Sequence, residues 1–506
     1  MDEASVIPQG KADLGAWLAV AAGTIGSFMA TLDTSIVNSA LPTIQGEIGA
    51  SDSEGTWIST AYLVGEIIMI PLAGWLEKIF GLRRFLLAMT VLFTSFSILC
   101  GVSGDLGQMI VGRIGQGVTG GAMIPMALTI VMTRLPARQQ PVGVAMFGMT
   151  ALLGPVLGPM IGGWLTEHVS WHYAFFLNVP IGAGLIALLV IGLPTREIHW
   201  SLLAEADAPG ILGMALGLGG LTIVLEEGQR ERWFESDFIW TFSLVSLVGF
   251  ALLTAGQLFS RRPVVQLRIL FTRSFGGVFL LSLMVGAALY GITYLVPQFL
   301  VAVAGYNAEQ SGDVTMLSGI PTVLMVGLFP LLARKLDLRA AIAFGLLLYA
   351  FSAFLDVSLT SQSAGPELVL PQLIRGFAQF FSLLFLNQAA ATAVAHEYAE
   401  DASGLFNAAR NLGGSMGLAG IATMQDQRTT FHAARLAESI SANSVIGQNA
   451  AAAQGVVQIG QQIQGQATVM AFADIYWLFG VGLLAMIPFV LLLKPLPKGA
   501  SVSLGH

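Results

Sequence analysis

Apolar runs of about 20 residues, parted by short polar turns, recur along nearly the whole chain. Each is long enough to cross a hydrocarbon core of about 30 Å as a helix. Lipid offers backbone amides no partner, so such runs must close their hydrogen bonds internally and fold as spanning helices. Hydrophobic residues make up 55% of the chain and charged residues 10%. A soluble domain carries about 25% charged residues, so a soluble enzyme or binding module is excluded. The expected fold class is an all-α membrane protein. The net charge of −7 decides little, because charge placement outweighs the sum. The lone cysteine, Cys100, excludes an internal disulfide and a Cys-based metal cluster. It reads as an inert core thiol.

Spans are predicted near 15–40, 55–77, 83–103, 106–133, 140–166, 172–194, 208–226, 238–258, 274–303, 311–333, 339–358, 367–395, 402–423 and 470–494, fourteen in all. Met1 to Asp13 lacks the basic region of a cleaved signal, so the first apolar run is expected to be retained. Positive charge accumulates on cytoplasmic loops. With the N-terminus inside, the inner segments hold Lys11, Lys78, Arg83, Arg84, Arg134, Arg138 and Arg196. Further along they hold Arg261, Arg262, Arg268, Arg273, Arg334, Lys335, Arg339, Lys494 and Lys498. The outer segments hold only Arg230, Arg232, Arg428 and Arg435. A missed span would invert every later loop, so both termini are expected to be cytoplasmic. The acidic loop from His396 to Asp401 breaks the pattern, having no Lys or Arg.

The chain echoes itself. Gly112-Arg113-Ile114-Gly115-Gln116-Gly117 in helix 4 resembles Arg375-Gly376-Phe377-Ala378-Gln379 in helix 12. A glycine-rich helix follows each, with Gly154 placed 41 residues after Arg113 and Gly413 placed 38 after Arg375. Duplicated six-helix bundles have this form. Helices 7 and 8 then read as an inserted pair. The expected division is 1–195 for an N-terminal bundle, 196–270 for the inserted pair with linkers, and 271–506 for a C-terminal bundle. Segment 424–469, rich in Ala, Gln, Ser and Asn, reads as an outward loop, either solvated or a docking or gating element, with His432, Ala433, Leu436, Ile440 and Val445 hinting at an amphipathic stretch.

Charges within spans are costly and mark functional sites. Asp33 in helix 1 and Glu66 in helix 2 are candidate proton carriers, since a carboxyl in a low-dielectric site loads protons near neutral pH. Glu66 is equally a candidate for a cationic cargo. Arg113 is the candidate switch for their charge. The plainer readings are a helix-break cap for Asp33 and a tie to backbone carbonyls for Arg113. In helix 5, Gly154, Gly158 and Gly162, with Gly163 beside them, permit close helix contact. Pro155 and Pro159 remove backbone hydrogen bonds and allow bending. Phe28, Met29, Trp57, Tyr62, Met123, Met126, Met146, Met149, Tyr290, Tyr294, Phe380 and Phe385, with Arg375, are candidates to line a cavity. Methionine adapts to varied apolar cargo.

Together these motifs resemble the major facilitator superfamily, in particular the fourteen-helix drug:proton antiporters of the EmrB/QacA type. Leu32-Asp33 through Asn38 to Leu41-Pro42 is similar to that family's helix 1 signature. Arg113 through Gln116-Gly117 resembles its helix 4 motif, and Gly154-Pro155 through Gly158-Pro159 to Gly162-Gly163 its antiporter motif. Trp171 through Asn178, Pro180 and Gly182 is similar to its start of helix 6. The resemblance implies a major facilitator fold of 14 transmembrane helices arranged six, two and six. It implies proton-coupled efflux of amphipathic small molecules from a bacterial inner membrane. It also implies a periplasmic membrane-fusion adaptor and an outer-membrane channel as partners. One departure stands out. Gly74-Trp-Leu76-Glu77-Lys78 through Gly81 to Arg83-Arg84 places Lys78 where the superfamily's charge latch has Asp.

No cofactor, metal or nucleic-acid partner is expected. There is no Walker loop and no His-rich metal motif. An uptake symporter of the same fold would share Asp33 and Arg113, but the helix 5 motif argues for export. The His396 and Asp401 spacing seen in acyltransferases is a weak enzyme signal in a short acidic loop. A channel would need neither buried carboxyls nor a bending helix.

Overall fold

The computed structural model describes residues 12–195, 197–260, 262–438 and 453–493. Its long helices, in chain order, are α1 (Leu14–Ile48), α2 (Asp52–Phe80), α3 (Leu82–Gly101), α4 (Leu106–Arg134) and α5 (Gln140–His168). Then come α6 (His172–Gly192), α7 (Ala208–Glu227), α8 (Asp237–Phe259) and α9 (Arg273–Ala302). A broken helix, α10, has the pieces Ala308–Met316, Gly319–Val326 and Phe329–Lys335. The last are α11 (Leu338–Asp356), α12 (Gly365–Thr392), α13 (Ala399–Glu438) and α14 (Ala453–Met486). Among the described residues there is no strand. Eleven helices are long and apolar enough to cross a membrane, and α10 makes up to 12 if its two arms, bent by 67°, form one span. The two others, α2 and α13, complete the fourteen segments read from the sequence but fall short of that standard.

Local chemistry sets many boundaries. Asp13 caps α1 by accepting from the Ala16 amide at 2.8 Å. Ser51 and Glu54 form a capping box at the start of α2. Gly81, at φ +76°, turns the chain from α2 into α3 within one residue, a conformation that favours glycine. Pro330 opens the last piece of α10, where its ring is tolerated but a continuous helix is not.

Close packing follows the small residues. Glycines of α5 lie on α1, and in the second half Gly413 and Gly417 of α13 lie on the backbone of α9. These crossings are equivalent under the repeat read from the sequence. The inserted pair is not symmetric in its contacts. α7 packs on α2, α8 and α13, and so reaches both bundles, whereas α8 packs chiefly on α7.

Segment 424–469 differs from the expected loop. Helix α13 runs unbroken through 424–438, and α14 begins at Ala453. Residues 439–452 lie outside the described residues. The 40 residues of α13 span about 60 Å, twice the hydrocarbon thickness, so the helix extends beyond the bilayer. Ala and Gln are good helix formers, which is why a polar stretch stays helical here. The projecting helices are tied together where His432 Nε2 meets Asp474 Oδ2 at 2.8 Å, with Arg428 3.6 Å from the same oxygen.

The bundles touch at the end that carries the basic loops. Lys78 Nζ, at the end of α2, lies 3.0 Å from Glu400 and 3.8 Å from Asp401 at the start of α13. Ser403 donates to the Pro125 carbonyl at 2.7 Å, and Arg334 to the Arg138 carbonyl at 2.9 Å. Two oddities of the sequence explain each other: the cation at position 78 meets the loop that is unexpectedly acidic. Lys78→Glu therefore places three carboxylates together and should slow transport several-fold. The pair is partly exposed, where such contacts are worth about 0–1 kcal/mol. Lys78→Glu combined with Glu400→Lys should recover most of the rate in a liposome flux assay. Failure of the paired exchange to recover it would remove the electrostatic role.

Candidate functional site

Asp33 sits at the centre of a polar cluster sealed inside the first bundle. It is 1% exposed and Arg113 is 0% exposed. Arg113 Nη1 donates to Asp33 Oδ2 at 2.7 Å and to Gln116 Oε1 at 3.1 Å. Its Nε donates to the Ile58 carbonyl at 3.1 Å. Gln116 Nε2 and Asn178 Nδ2 donate to Asp33 Oδ1 at 2.9 and 2.6 Å. Both amides also donate to Ser97 Oγ, at 3.1 and 2.8 Å. The Tyr62 ring lies under the guanidinium, 4.3 Å from its centroid, a cation–π arrangement. One carboxylate thus gathers donors from α4 and α6. Removing either charge of a buried pair strands the other, at a cost of about 3–5 kcal/mol. Asp33 is not a cap at a helix break, because α1 continues through Pro42 to Ile48.

Glu66 belongs to a different place. A cavity of about 90 Å³ lies between the bundles, lined by α1, α2, α5, α7, α9 and α13. Its wall includes Thr31, Thr34 and Ser35 from α1, Glu66, Pro155, Glu226, Tyr290, Arg410, Asn411 and Ser415. Asn411 hydrogen-bonds to Glu66, and the charges of Arg410 and Arg113 both act on it. Arg410 is 2% exposed, and its Nε and Nη1 have no hydrogen-bond partner among the described residues. Ser415 Oγ donates to Glu226 Oε1 at 2.6 Å. Drug sites usually measure about 300–1,000 Å³. The cavity in this state is too small for such a ligand, so loading requires the bundles to part.

Helix α1 belongs to both places: Asp33 faces the sealed cluster, while Thr31, Thr34 and Ser35 face the cavity. On its α5 side, α1 is gripped by glycines. A Cβ on Gly154 would fall 2.6 Å from Thr31 Oγ1, and one on Gly158 would fall on Ser35 Cβ and 2.9 Å from its carbonyl carbon. One on Gly162 would meet the Ile36 carbonyl oxygen at 2.8 Å. Gly163 faces open space. Gly117 lies on the Tyr62 backbone, closing α4 onto α2. Asn38 accepts from Ser59 at 2.7 Å, tying α1 to α2.

The remaining cavity candidates are scattered. Tyr290 lines the cavity. Phe28, Tyr62, Met123, Met146, Met149, Tyr294, Arg375 and Phe380 are not among its lining residues. Met123 packs in the first bundle's core beside Thr90, and Phe380 sits in a ring cluster with Phe329 and Phe385. Tyr294 is 39% exposed. Arg375 forms a second buried ion pair, with Asp356 at the end of α11, and receives Gln372 as an acceptor at 2.7 Å. Asp401, of the weak enzyme pattern, is engaged by Lys78.

Sequence reasoning did not single out Ser97, Asp356 or Glu226 as site residues, it read Asn178 only as part of a motif, and it marked Arg410 only as a charge within a span, without a role. A polar residue inside an apolar run was the available signal for Ser97, Asn178 and Asp356. Glu226 had no such mark, because an acid at the end of an apolar run looks like a span boundary.

Two bundles closed around a central cavity, with a buried ion pair in each and glycine-lined crossings, define a multi-pass membrane transporter. The Major Facilitator Superfamily profile matches residues 23–418, and the chain belongs to that family. It is 33% identical over 426 residues to the colistin resistance protein EmrB of Acinetobacter baumannii, covering 84% of this chain and 83% of the relative. It is 31% identical over 495 residues to the multidrug export protein EmrB of Escherichia coli K12, covering 94% and 95%. Among solved structures, the proton:xylose symporter XylE matches with a TM-score of 0.61 at 15% identity, covering 94% of each chain. The human organic anion transporter MFSD10 matches with a TM-score of 0.59 at 16% identity, covering 92% of this chain and 99% of the other. At those identities the structural likeness speaks for the fold alone.

Proposed function

We propose that this chain is a proton-coupled exporter of amphipathic small molecules, working by alternating access in a bacterial inner membrane with both termini cytoplasmic. The observation that carries this is the division of labour along α1. Asp33 is held by Arg113, Gln116 and Asn178 away from the cavity, while its neighbours Thr31, Thr34 and Ser35 form part of the cavity wall. Protonation of Asp33 from the outer side cancels the charge that holds Arg113. The grip on α1 changes, the α1–α5 crossing shifts, and the cavity wall moves with it. Cargo leaves outward, and loss of the proton to the cytoplasm resets the cluster. Glu66 faces the cavity and Asp33 does not, which supports cargo contact for Glu66 and proton carriage for Asp33. The relatives named for multidrug export and colistin resistance support the direction and the cargo class.

The partition at 1–195, 196–270 and 271–506 fits this scheme, with two bundles rocking about the cavity. The projecting ends of α13 and α14 are suited to meet a periplasmic adaptor, which would pass cargo to an outer-membrane channel. Lys78 with Glu400 and Asp401 closes the cytoplasmic end. The test is reconstitution of the full chain in liposomes with an imposed pH gradient. Adding amphipathic drugs should evoke proton release, read by a pH-sensitive dye. Drug moving with the protons instead of against them would make the chain an uptake symporter.

A further inference from the structure

We propose that Glu226, on the first helix of the inserted pair, receives the positive charge of a cationic amphipathic cargo. The assignment rests on the export reading and names the cargo class for the same cavity. Three acidic or basic side chains line that cavity: Glu66, Glu226 and Arg410. Glu66 has the Asn411 amide and the Arg410 charge beside it. Glu226 has the Ser415 hydroxyl on Oε1, and the charge that acts on it is the like charge of Glu227. No Lys, Arg or His among the described residues forms an ion pair with it. Its side chain is enclosed by protein yet keeps accessible surface, as a group facing a cavity should.

Its position is built, not incidental. Glu227, the next residue, is 1% exposed and bonded to Arg230 at 2.6 Å and to Thr60 of α2 at 2.8 Å. Just beyond, Arg232 and Trp233 both adopt positive φ, which is costly for residues with a side chain. Trp233 donates to Thr423 of α13 at 3.0 Å. The last turn of α7 is thus pinned to both bundles, and Glu226 is held over the cavity. An uncompensated carboxylate in a low-dielectric wall prefers a cation, and a charge-assisted hydrogen bond to an ammonium is stronger than a neutral one. The Tyr290 side chain lies in the same wall.

The test compares two fluorescent probes on the purified full-length protein: ethidium, a permanent cation, and N-phenyl-1-naphthylamine, which is uncharged. Glu226→Gln should weaken ethidium binding about tenfold, the size expected for one hydrogen bond to a charged group. It should leave the uncharged probe within about twofold, which also reports an intact fold. Glu226→Asp should recover part of the ethidium affinity. Equal ethidium affinity in wild type and Glu226→Gln overturns the assignment, as does equal weakening of both probes or a wild type that binds no ethidium. Ethidium binding that depends on Glu226, in a protein that releases no protons on drug addition, supports the assignment and overturns the export reading instead.

Discussion

Asp33→Asn should abolish drug-evoked proton release in liposomes while drug binding persists. Asn matches Asp in shape and can still accept from Gln116 or Asn178, but it carries no exchangeable acidic proton. It also leaves Arg113 charged and unpaired in a site with no exposure. Stranding a buried charge in this way costs about 3–5 kcal/mol, so a lower unfolding temperature accompanies the loss. Drug binding is the control that separates lost coupling from lost structure, because the cavity wall does not include Asp33. Asp33→Glu, which keeps the acid but lengthens the side chain in a filled cluster, should retain reduced coupling. Full proton release from Asp33→Asn would reduce the cluster to a structural brace and move proton carriage to Glu66.

Gly158→Ala and Gly163→Ala, five positions apart on α5, should have sharply different effects. At Gly158 the new methyl falls on Ser35 Cβ, with the Ser35 carbonyl carbon 2.9 Å away and the Ile36 nitrogen 3.1 Å away. Backbone cannot rotate aside as a side chain can, so α1 and α5 must separate. Overpacking of this kind costs about 1–3 kcal/mol. Because α1 bears both Asp33 and part of the cavity wall, transport should fall about tenfold or more, beyond any loss of stability. At Gly163 nothing lies within 4 Å, and replacing a helical glycine by alanine gains about 0.5–1 kcal/mol. Efflux and the unfolding midpoint in detergent should therefore be unchanged or slightly improved there. Equal tolerance at the two positions would mean that the α1–α5 crossing is not a working interface.

Much of the architecture was legible because a bilayer leaves a chain few options. Apolar runs of spanning length must be helices, so the all-helical class and the order of the eleven helices long and apolar enough to span follow from hydropathy. The glycine spacing in α5 announced a close crossing, and an acid and an arginine within apolar runs announced a buried pair. Residues 424–438 and 453–469 are helical where a loop is expected, because low hydropathy signals only an absence from lipid. It says nothing of whether the backbone is helical, and Ala- and Gln-rich sequence continues a helix readily.

Pairing and placement were decided by the tertiary structure. Asp33 and Arg113 are 80 residues apart in the chain, and Asp33 and Asn178 are 145 apart. Their contact depends on how α1, α4 and α6 rotate about their axes, which one sequence does not specify. The same rotation put Asp33 in the bundle core and Thr34 and Ser35 on the cavity, adjacent residues with opposite surroundings. It sent Arg375 to Asp356 and away from the cavity, and left Lys78 facing Glu400 and Asp401. What the sequence determined alone was the solvent each segment must face, since hydrophobicity is a property of the residue. Which buried charge meets which was settled by packing, since a hydrogen bond is a property of geometry between segments far apart in the chain.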